Sequence, residues 1–349
     1  MSKTIKTGIC SYGMSGKLFH APFIEAHPGF ELTAIVERSK NDSRARYPNS
    51  KLYRSVDELI NDPSIELVIV NTPVQTHYDI AKQAMNAGKH IIVEKPFTVT
   101  SKEAEELVKI AKEKKVSLFV YQNRRYDGDY HAVKNVIEQK LLGDLQEFEI
   151  HYDRFRNIPS GKAHKEGGLP ASGTLYDLGA HMIDQSLQLF GWPKAIFADT
   201  DIMREGFGAT DYYELLLFYP NKLRVRIKSS MLSREHVPAY VLQGTKGSFF
   251  QQRSDQQEEQ LLAGRAPSLQ PWAPPTALPD GILHTEINNE VVRKLLTSTP
   301  GNYMGYFDDV YKSLTQNAPN PVPGEDGAKV IKVIEAAEQS AKEKKVINL

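Results

Sequence analysis

Short apolar runs of β type alternate with segments of helical period along the first third of the chain, and this alternation limits the fold more than any other feature. Segments of helical period lie at Tyr78–Ala87, before Gly88, and at Glu103–Lys114, after the capping-box sequence Thr100–Glu103. Strand and helix alternating at roughly 30 residues per unit is typical of a doubly wound parallel sheet. We therefore predict an α/β domain over residues 1–122. Its predicted strands are Ile5–Cys10, Leu32–Glu37, Leu67–Val70, Ile91–Val93 and Leu118–Tyr121.

The second half has a different pattern, in which strand-like segments predominate. Gln146–Arg156 has the pattern of a long strand, and Lys222–Lys228 carries a cation at every second position, which predicts a sheet with one polar face. An antiparallel meander with few helices indicates a separate α+β domain, which we place at residues 123–349. The proline-rich segment Arg265–Gly281 is expected to be a surface loop that covers the substrate. The final helix, Asp326–Lys345, is expected to return to the first domain.

Composition and charge exclude several classes of protein. The 349 residues exceed the usual size of one hydrophobic core, so two domains are expected. Lys and Arg together number 43, as do Asp and Glu, which leaves no net positive charge for binding nucleic acid or an acidic membrane. Met1–Lys6 lacks the apolar core of a signal peptide and no apolar run is long enough to span a membrane, so we expect a cytoplasmic protein. Cys10 is the only cysteine, which excludes an intrachain disulfide and a thiolate cluster, and no metal site is predicted.

A glycine-containing loop, Ser11–Lys17, follows the first predicted strand directly. It matches the dinucleotide fingerprint G-x-G-x-x-G with serine at the first position. Gly13 would allow the backbone to approach a pyrophosphate, and Gly16 would allow the following helix to pack on the strand. The position between a strand and a helix favours a nucleotide loop over an ordinary turn.

The second predicted strand ends in Glu37 and Arg38, where dinucleotide-binding folds distinguish their cofactors. A carboxylate at this point accepts hydrogen bonds from the ribose hydroxyls and repels a 2′-phosphate. A guanidinium binds that phosphate or stacks on adenine. Glu37 therefore favours NAD and Arg38 favours NADP, and we give NAD a slight preference. The alternative interpretation is an ordinary surface ion pair.

The segment Asn71–His77 follows the third predicted strand. Asn71 and Thr72 are expected to face the nicotinamide ribose, and Pro73 is expected to open the next helix. His77 is either a polar support near the cofactor or a capping or core histidine, and the sequence leaves both open.

The fourth predicted strand ends in Glu94, Lys95 and Pro96. A lysine at the carboxyl end of a parallel strand lies where open α/β sheets bind their ligands, and proline fixes the backbone behind it. We interpret Lys95 as the reactive group. A solvated lysine at a strand end is the alternative.

The segment Gln122–Tyr126 follows the fifth predicted strand and is expected to form the crossover between the domains. Arg124 and Arg125 would reach the cofactor or the substrate from there, although an interdomain ion pair explains at least one of them equally well.

Asp177 and His181 lie four residues apart in a predicted helix that begins near Gly173 and continues through Phe190. This spacing places them on one helical face, where the carboxylate fixes the imidazole tautomer and raises its basicity. Such a pair moves a proton to or from a hydroxyl near neutral pH. A surface i,i+4 pair with no catalytic role is the alternative.

These motifs follow one another in a specific order. The set resembles the Gfo/Idh/MocA family of nicotinamide-dependent oxidoreductases over nearly the whole chain. Gly173–Gly191 and Gly301–Tyr303 look like the branch that contains the scyllo-inositol dehydrogenases. The motifs are the glycine loop, Thr72–Pro73 with His77, Glu94–Pro96, Asn123–Arg125, and Asp177 with His181.

The resemblance implies an N-terminal Rossmann domain and a C-terminal open-faced, mostly antiparallel sheet that is used in forming a homodimer or homotetramer. It implies NAD or NADP as the cofactor, a cyclic polyol or sugar as the substrate, and a catalytic set of Lys95, Asp177 and His181. The residues expected to contact the cofactor are Ser11, Tyr12, Gly13, Met14, Ser15, Gly16, Glu37, Arg38, Asn71, Thr72, Pro73, His77, Glu94, Lys95, Asn123 and Arg124. Those expected to contact the substrate are Lys95, Arg124, Tyr152, Arg154, Arg156, Asp177 and His181, among which Tyr152, Arg154 and Arg156 share one face of the predicted strand.

In the oxidising direction, the hydroxyl proton of the substrate is expected to pass to His181. Lys95 would hydrogen-bond the same oxygen, and Asp177 would orient the imidazole or the ammonium group. Two other functions compete with a dehydrogenase. One is a redox-assisted glycosidase, in which tightly held NAD transiently oxidises a sugar. The other is a non-catalytic nucleotide sensor, against which the intact Lys95, Asp177 and His181 argue.

Overall fold

The structure, a computed structural model, describes residues 3–158, 161, 166–272 and 281–349. These residues group into two compact units, each formed from three segments of the chain. Unit 1 comprises the described residues of Met1–Asn123, Gln257–Trp272 and Asn302–Lys329, and unit 2 those of Arg124–Gln256, Ala273–Gly301 and Val330–Leu349. A domain boundary between residues 122 and 123 stays a prediction.

Among the described residues of unit 1, six strands form one parallel sheet in the order β3-β2-β1-β4-β5-β6. The five strands expected from the sequence are confirmed. β3 was missed because its three residues are not an apolar run. The strand order reverses between β1 and β4, and ligands of open α/β sheets bind at such a reversal. The strands are β1 Ile5–Ile9, β2 Phe30–Val36, β3 Lys51–Tyr53, β4 Leu67–Val70, β5 His90–Glu94 and β6 Leu118–Tyr121.

The core of unit 1 is formed by its central strands and the helices around them. All four residues of β4 and the Ile91–Val93 part of β5 are fully buried, as expected for strands covered on both faces. The predicted capping box is confirmed, since the Thr100 hydroxyl accepts from the Glu103 amide and the Glu103 carboxylate accepts from the Thr100 amide. The helices of unit 1 are Ala21–Ala26, Asp42–Arg46, Val56–Asn61, His77–Asn86, Ser101–Lys114, Gln257–Leu262 and Met304–Gln316.

Among the described residues of unit 2, nine strands form one sheet in the order β14-β13-β12-β11-β7-β10-β9-β8-β15. Only β7 and β10 run parallel, and all other neighbours are antiparallel, which confirms the predicted sheet. The strands are β7 Leu145–His151, β8 Ala195–Asp201, β9 Tyr212–Phe218, β10 Arg224–Ser230, β11 Tyr240–Gly244, β12 Gly247–Gln251, β13 Gly281–Ile287, β14 Glu290–Leu296 and β15 Ile347–Asn348.

The sheet of unit 2 has one apolar and one charged face, as the alternation in β10 predicts. Val225 and Ile227 are fully buried, whereas Arg224, Arg226 and Lys228 are only partly buried. Arg226 pairs with carboxylates of β7, and Lys228 pairs with one of β9. The use of this face in a homodimer or homotetramer stays a prediction.

The strand expected over Gln146–Arg156 is shorter, because β7 ends at His151. Its neighbour β11 begins at Tyr240, so the chain loses a partner on that side beyond this point. The other side remains bonded, since the Arg154 amide donates to the Ser230 carbonyl and the Arg156 amide to the Met231 carbonyl. Residues 152–156 are therefore extended chain along one neighbour.

The remaining helices of unit 2 are Gly128–Glu138 and Ala180–Phe190, the second preceded by a wide π-helical turn at Leu175–Gly179. The helix Gly324–Glu343 begins in unit 1 and ends in unit 2. Residues 273–280 of the predicted covering loop lie outside the described part of the chain. Within that part, every helix is too short or too polar to cross a membrane.

Candidate active site

The loop Ser11–Lys17 turns tightly at the carboxyl end of β1, and its glycines have distinct roles. A Cβ at Gly16 would lie 2.1 Å from the Ser11 carbonyl oxygen, so a larger residue does not fit. A Cβ at Gly13 would meet only the Ser11 hydroxyl, at 3.6 Å, which leaves room above the loop. The side chain of Asn71, after β4, donates to the Ser11 carbonyl at 2.8 Å. Asn71 therefore supports the loop.

Serine at the first fingerprint position is compatible with this turn. Ser11 does not have a positive φ, and its hydroxyl accepts from the Gly13 amide at 3.3 Å. The Tyr12 ring packs edge-on against Tyr47 at 6.2 Å, and Met14 is exposed. The loop thus presents backbone and open space, which a dinucleotide requires at this position.

Glu94, the last residue of β5, connects the glycine loop to the strand that carries Lys95. Its Oε1 accepts from the Ser15 hydroxyl at 2.5 Å and lies 2.8 Å from Nε2 of the fully buried His20. Its Oε2 accepts from the Lys95 amide at 3.1 Å. Burial by itself raises the pKa of Glu94, but the hydrogen bonds from His20 and Ser15 outweigh it and hold this pKa at about 2. His20 was missed because its role depends on a partner 74 residues away.

Replacing the Glu94 carboxylate is expected to remove a contribution to the free energy of unfolding that depends on pH. Because its pKa is lowered on folding from 4.5 to about 2, the ionised Glu94 stabilises the fold above about pH 4.5, and this contribution is lost as the pH falls towards 2. Glu94→Gln should lower the free energy of unfolding at pH 7 by roughly 2–3 kcal/mol, and the difference from wild type should shrink below pH 4. Urea unfolding at a series of pH values measures both.

Glu113→Gln is the matched control, because this exposed carboxylate makes only an i,i+4 pair with Lys109 and its loss should have little effect. A Glu94→Gln protein with wild-type stability at pH 7 would contradict the role assigned to Glu94.

The Glu37 carboxylate accepts hydrogen bonds from other residues of unit 1. One carboxylate oxygen accepts from the Asp42 amide at 3.1 Å, and the other accepts from the Ser43 amide at 2.9 Å and from the Ser43 hydroxyl. The Arg54 guanidinium donates to the carbonyls of Glu37 and Lys40 and so holds the same loop. Arg38 is exposed. The expected contact of Glu37 with a ribose stays a prediction, and both of its oxygens already bind the start of Asp42–Arg46.

His77 lies behind the segment that follows Lys95. Its Nδ1 lies 3.0 Å from the Pro96 carbonyl and 3.1 Å from the Phe97 carbonyl, and its Nε2 lies 2.8 Å from the Thr72 carbonyl. The side chain is buried, so it links the end of β4 to the support of Lys95. Pro73 precedes the short turn Val74–Thr76 that leads into the helix beginning at His77, which agrees with its predicted position.

Lys95 is half-buried directly after β5, and the Lys95–Pro96 peptide bond is cis. Its main chain is held on both sides, by the Glu94 carboxylate at its amide and by His77 at the following carbonyls. Asn123 is buried at the start of the turn Asn123–Tyr126 after β6. Unit 1 therefore brings the glycine loop, Asn71, Glu94 and Lys95 to the carboxyl edge of its sheet.

In unit 2, Asp177 lies in the wide turn Leu175–Gly179, and His181 lies in the first turn of Ala180–Phe190, where it is 4% exposed. Wide turns of this kind are frequent at functional sites. Gln185, one turn after His181, donates to the Arg124 carbonyl at 2.8 Å. Asp184 forms a bidentate ion pair with Arg125, whose Nε and terminal nitrogen lie 2.8 and 2.6 Å from the two carboxylate oxygens.

These contacts tie Arg124 and Arg125 to the helix that carries His181. The other residues expected to contact the substrate are not all together. Tyr152 and Arg154 touch each other, whereas Arg156 is exposed. A further arginine, Arg253, lies 4.6 Å from the Tyr152 ring centroid and was missed, because it occurs in a polar segment with no motif.

Comparison with known proteins agrees with this organisation. Residues 5–122 match the NAD-binding Rossmann fold of an oxidoreductase family, and residues 134–349 match the C-terminal alpha/beta domain of the same family. The sequence is 38% identical over 347 residues to scyllo-inositol 2-dehydrogenase (NADP(+)) IolW of Bacillus subtilis, covering 99% of this chain and 96% of that protein.

Two further relatives extend over the full length. The sequence is 36% identical over 349 residues to the uncharacterized oxidoreductase YdgJ of Escherichia coli, covering all of both chains. A crystal structure of a Bacteroides fragilis protein superposes with a TM-score of 0.90 at 44% identity, covering 99% of this chain and 100% of that one. With both family models matched along nearly all of its length, the chain belongs to the Gfo/Idh/MocA family of oxidoreductases and contains that family's NAD-binding Rossmann domain.

Proposed function

We propose that the protein transfers a hydride between the nicotinamide of NAD(P) and a secondary alcohol or ketone of a cyclic polyol or sugar. The observation that supports this most directly is the 38% identity to a scyllo-inositol dehydrogenase over 99% of the chain. The glycine loop with its space at Gly13, together with Glu94 and Lys95 at the same sheet edge, agrees with a bound dinucleotide in unit 1.

Lys95, Asp177 and His181 are the proposed catalytic set. The cofactor supplies the hydride chemistry when it is bound. Lys95 stabilises the negative charge that develops on the substrate oxygen, and its fixed main chain limits where the amine can move. His181 accepts the hydroxyl proton, and Asp177, one helical turn earlier, orients the imidazole.

Incubation with a panel of inositols, hexoses, sugar acids and sugar phosphates in the presence of NAD⁺ or NADP⁺ tests this function by following absorbance of the reduced nicotinamide. Stoichiometric reduction with at least one cyclic polyol or sugar is expected. Release of the aglycone from a chromogenic glycoside without net reduction of NAD⁺ would instead establish the redox-assisted glycosidase. Neither reaction, in a protein that binds the cofactor, would contradict both.

We also propose that Arg38 determines how well the protein accepts NADP. The Glu37 carboxylate, which would repel a 2′-phosphate, is held by the backbone of Asp42 and Ser43, whereas Arg38 next to it is exposed and able to bind a phosphate. Arg38→Ala is expected to lower kcat/KM for NADP⁺ by roughly 10- to 100-fold, the loss of one charge-assisted contact, and to change that for NAD⁺ much less.

Steady-state kinetics with both cofactors measures this ratio. Lys114→Ala, which removes an exposed cation at the end of Ser101–Lys114, is the control and should leave the ratio unchanged. An equal loss with both cofactors in Arg38→Ala would show that Arg38 does not read the 2′ position.

A further inference from the structure

We infer that the substrate carries an anionic group, a carboxylate or a phosphate, which Arg154 binds beside Arg124 and Tyr152 in unit 2. This inference rests on the proposed function and names the substrate class for it: a sugar acid or sugar phosphate in place of a neutral polyol.

Three guanidinium groups surround one aromatic ring. The guanidinium carbons of Arg124 and Arg154 both lie 5.0 Å from the centroid of Tyr152, and that of Arg253 lies 4.6 Å from it. Each cation gains attraction from the ring, but three like charges around one ring also repel one another. An anion placed among them would relieve this repulsion.

The three arginines differ in their carboxylate neighbours within unit 2. Arg253 lies 3.5 Å from Asp129, and Arg124 lies 3.2 Å from Asp127. Burial, and after it the nearby Asp255 carboxylate, raise the pKa of Asp127.

Arg154 differs from the other two. In the described part of the chain no carboxylate comes within ion-pair distance of it, and its polar side-chain contact is with the Tyr152 hydroxyl at 3.3 Å. Its side chain is half-buried and remains accessible to a solute. A half-buried, accessible guanidinium of this kind binds a carboxylate or phosphate well, because it can donate two parallel hydrogen bonds to it.

Hydrogen bonds hold the residues around Tyr152 in position. Arg253 donates to the Tyr240 hydroxyl at 3.1 Å and to the His151 carbonyl at 3.0 Å. The Ser229 hydroxyl donates to the Tyr152 carbonyl at 2.6 Å. A binding group whose supports are fixed loses less conformational entropy when its ligand arrives.

The arginine cluster is also connected to the proposed proton acceptor within unit 2. Gln185, on the helical face of His181, donates to the Arg124 carbonyl at 2.8 Å and accepts from the Tyr240 hydroxyl at 3.1 Å. A molecule whose anionic group is held by Arg154 and Arg124 is therefore recognised by the part of unit 2 that presents His181.

The test compares a panel of aldonates, uronates and sugar phosphates, each beside its neutral parent sugar, by thermal protection and by kcat/KM with NAD⁺ and NADP⁺. At least one acidic sugar should exceed its neutral parent in kcat/KM by roughly 10- to 100-fold, the effect of one charge-assisted pair. The carboxylate and phosphate members of the panel distinguish the two groups.

Three variants test whether Arg154 causes the preference for the acidic sugar. Arg154→Gln should remove the preference for the acidic sugar, Arg154→Lys should retain part of it, and Arg293→Gln, at an exposed arginine of β14, should leave it unchanged. Oxidation of neutral polyols with no preference for acidic ones, and no effect of Arg154→Gln, would overturn the inference while the dehydrogenase function stands. Protection by an acidic sugar that depends on Arg154, without nicotinamide reduction, would support the anion site and reject the dehydrogenase. Absence of protection by every acidic sugar would also overturn the inference.

Discussion

Lys95→Met is expected to lower kcat by roughly 10²- to 10³-fold while cofactor binding changes little, because the amine stabilises charge that exists only in the transition state. Methionine keeps most of the length and apolar volume of the lysine stem. The main-chain contacts of residue 95 with Glu94, and of the following residues with His77, do not involve the amine, so the strand end should keep its conformation.

Turnover is measured with whichever polyol or sugar proves active, and cofactor affinity by titration of the fluorescence of the reduced nicotinamide. Lys102→Met is the control, since Lys102 is an exposed lysine in the first turn of Ser101–Lys114 and should retain wild-type kcat. Retained turnover in Lys95→Met would remove Lys95 from the catalytic set. A loss of cofactor binding that accounts for the whole effect would make Lys95 a binding residue.

His181→Asn is expected to lower kcat by roughly 10²- to 10⁴-fold, the usual effect of losing a general acid or base. His181 is 4% exposed, and asparagine is smaller but remains polar, so the change removes proton transfer at a modest cost in packing. Gln185 and Asp184, which follow on the same helix, tie that helix to the Arg124–Arg125 turn. The variant should therefore keep the orientation of the helix.

His236→Asn, at an exposed histidine of the same unit, is the matched control and should behave as wild type. Thermal unfolding of both variants separates a catalytic loss from a folding defect. If His181→Asn folds normally and turns over at the wild-type rate, another group accepts the proton, and the roles proposed for His181 and Asp177 are wrong.

Among the described residues, periodicity was sufficient to predict five of the six strands of the first sheet, but only β7 and β10 of the nine strands of the second. Strands such as Leu67–Val70 are buried on both faces, so they appear in the sequence as continuous apolar runs, and Arg224–Ser230 is buried on one face, so it alternates. Lys51–Tyr53 was missed because a three-residue strand at the end of a sheet buries too little to leave a pattern.

The predicted end of β7 at Arg156 was wrong for a related reason. Alternation continues through Arg156, but β7 stops at His151, where its neighbour β11 no longer extends beside it. The length of a strand depends on its partner, and the partner here lies about ninety residues later in the chain, between Tyr240 and Gly244.

The amino-acid sequence by itself determined the class of the fold, the glycine loop after β1, the lysine at the end of β5 and the Asp177–His181 spacing, because each of these depends on neighbours close in the chain. Only the tertiary structure showed that Glu94 joins Ser15 to His20, that Glu37 binds the backbone of Asp42 and Ser43, and that Arg253 and Arg154 meet at Tyr152. Side-chain partners of this kind are chosen by packing between distant segments, and the direction in which a carboxylate or guanidinium points is decided by the donors, acceptors and charges that the fold brings to it.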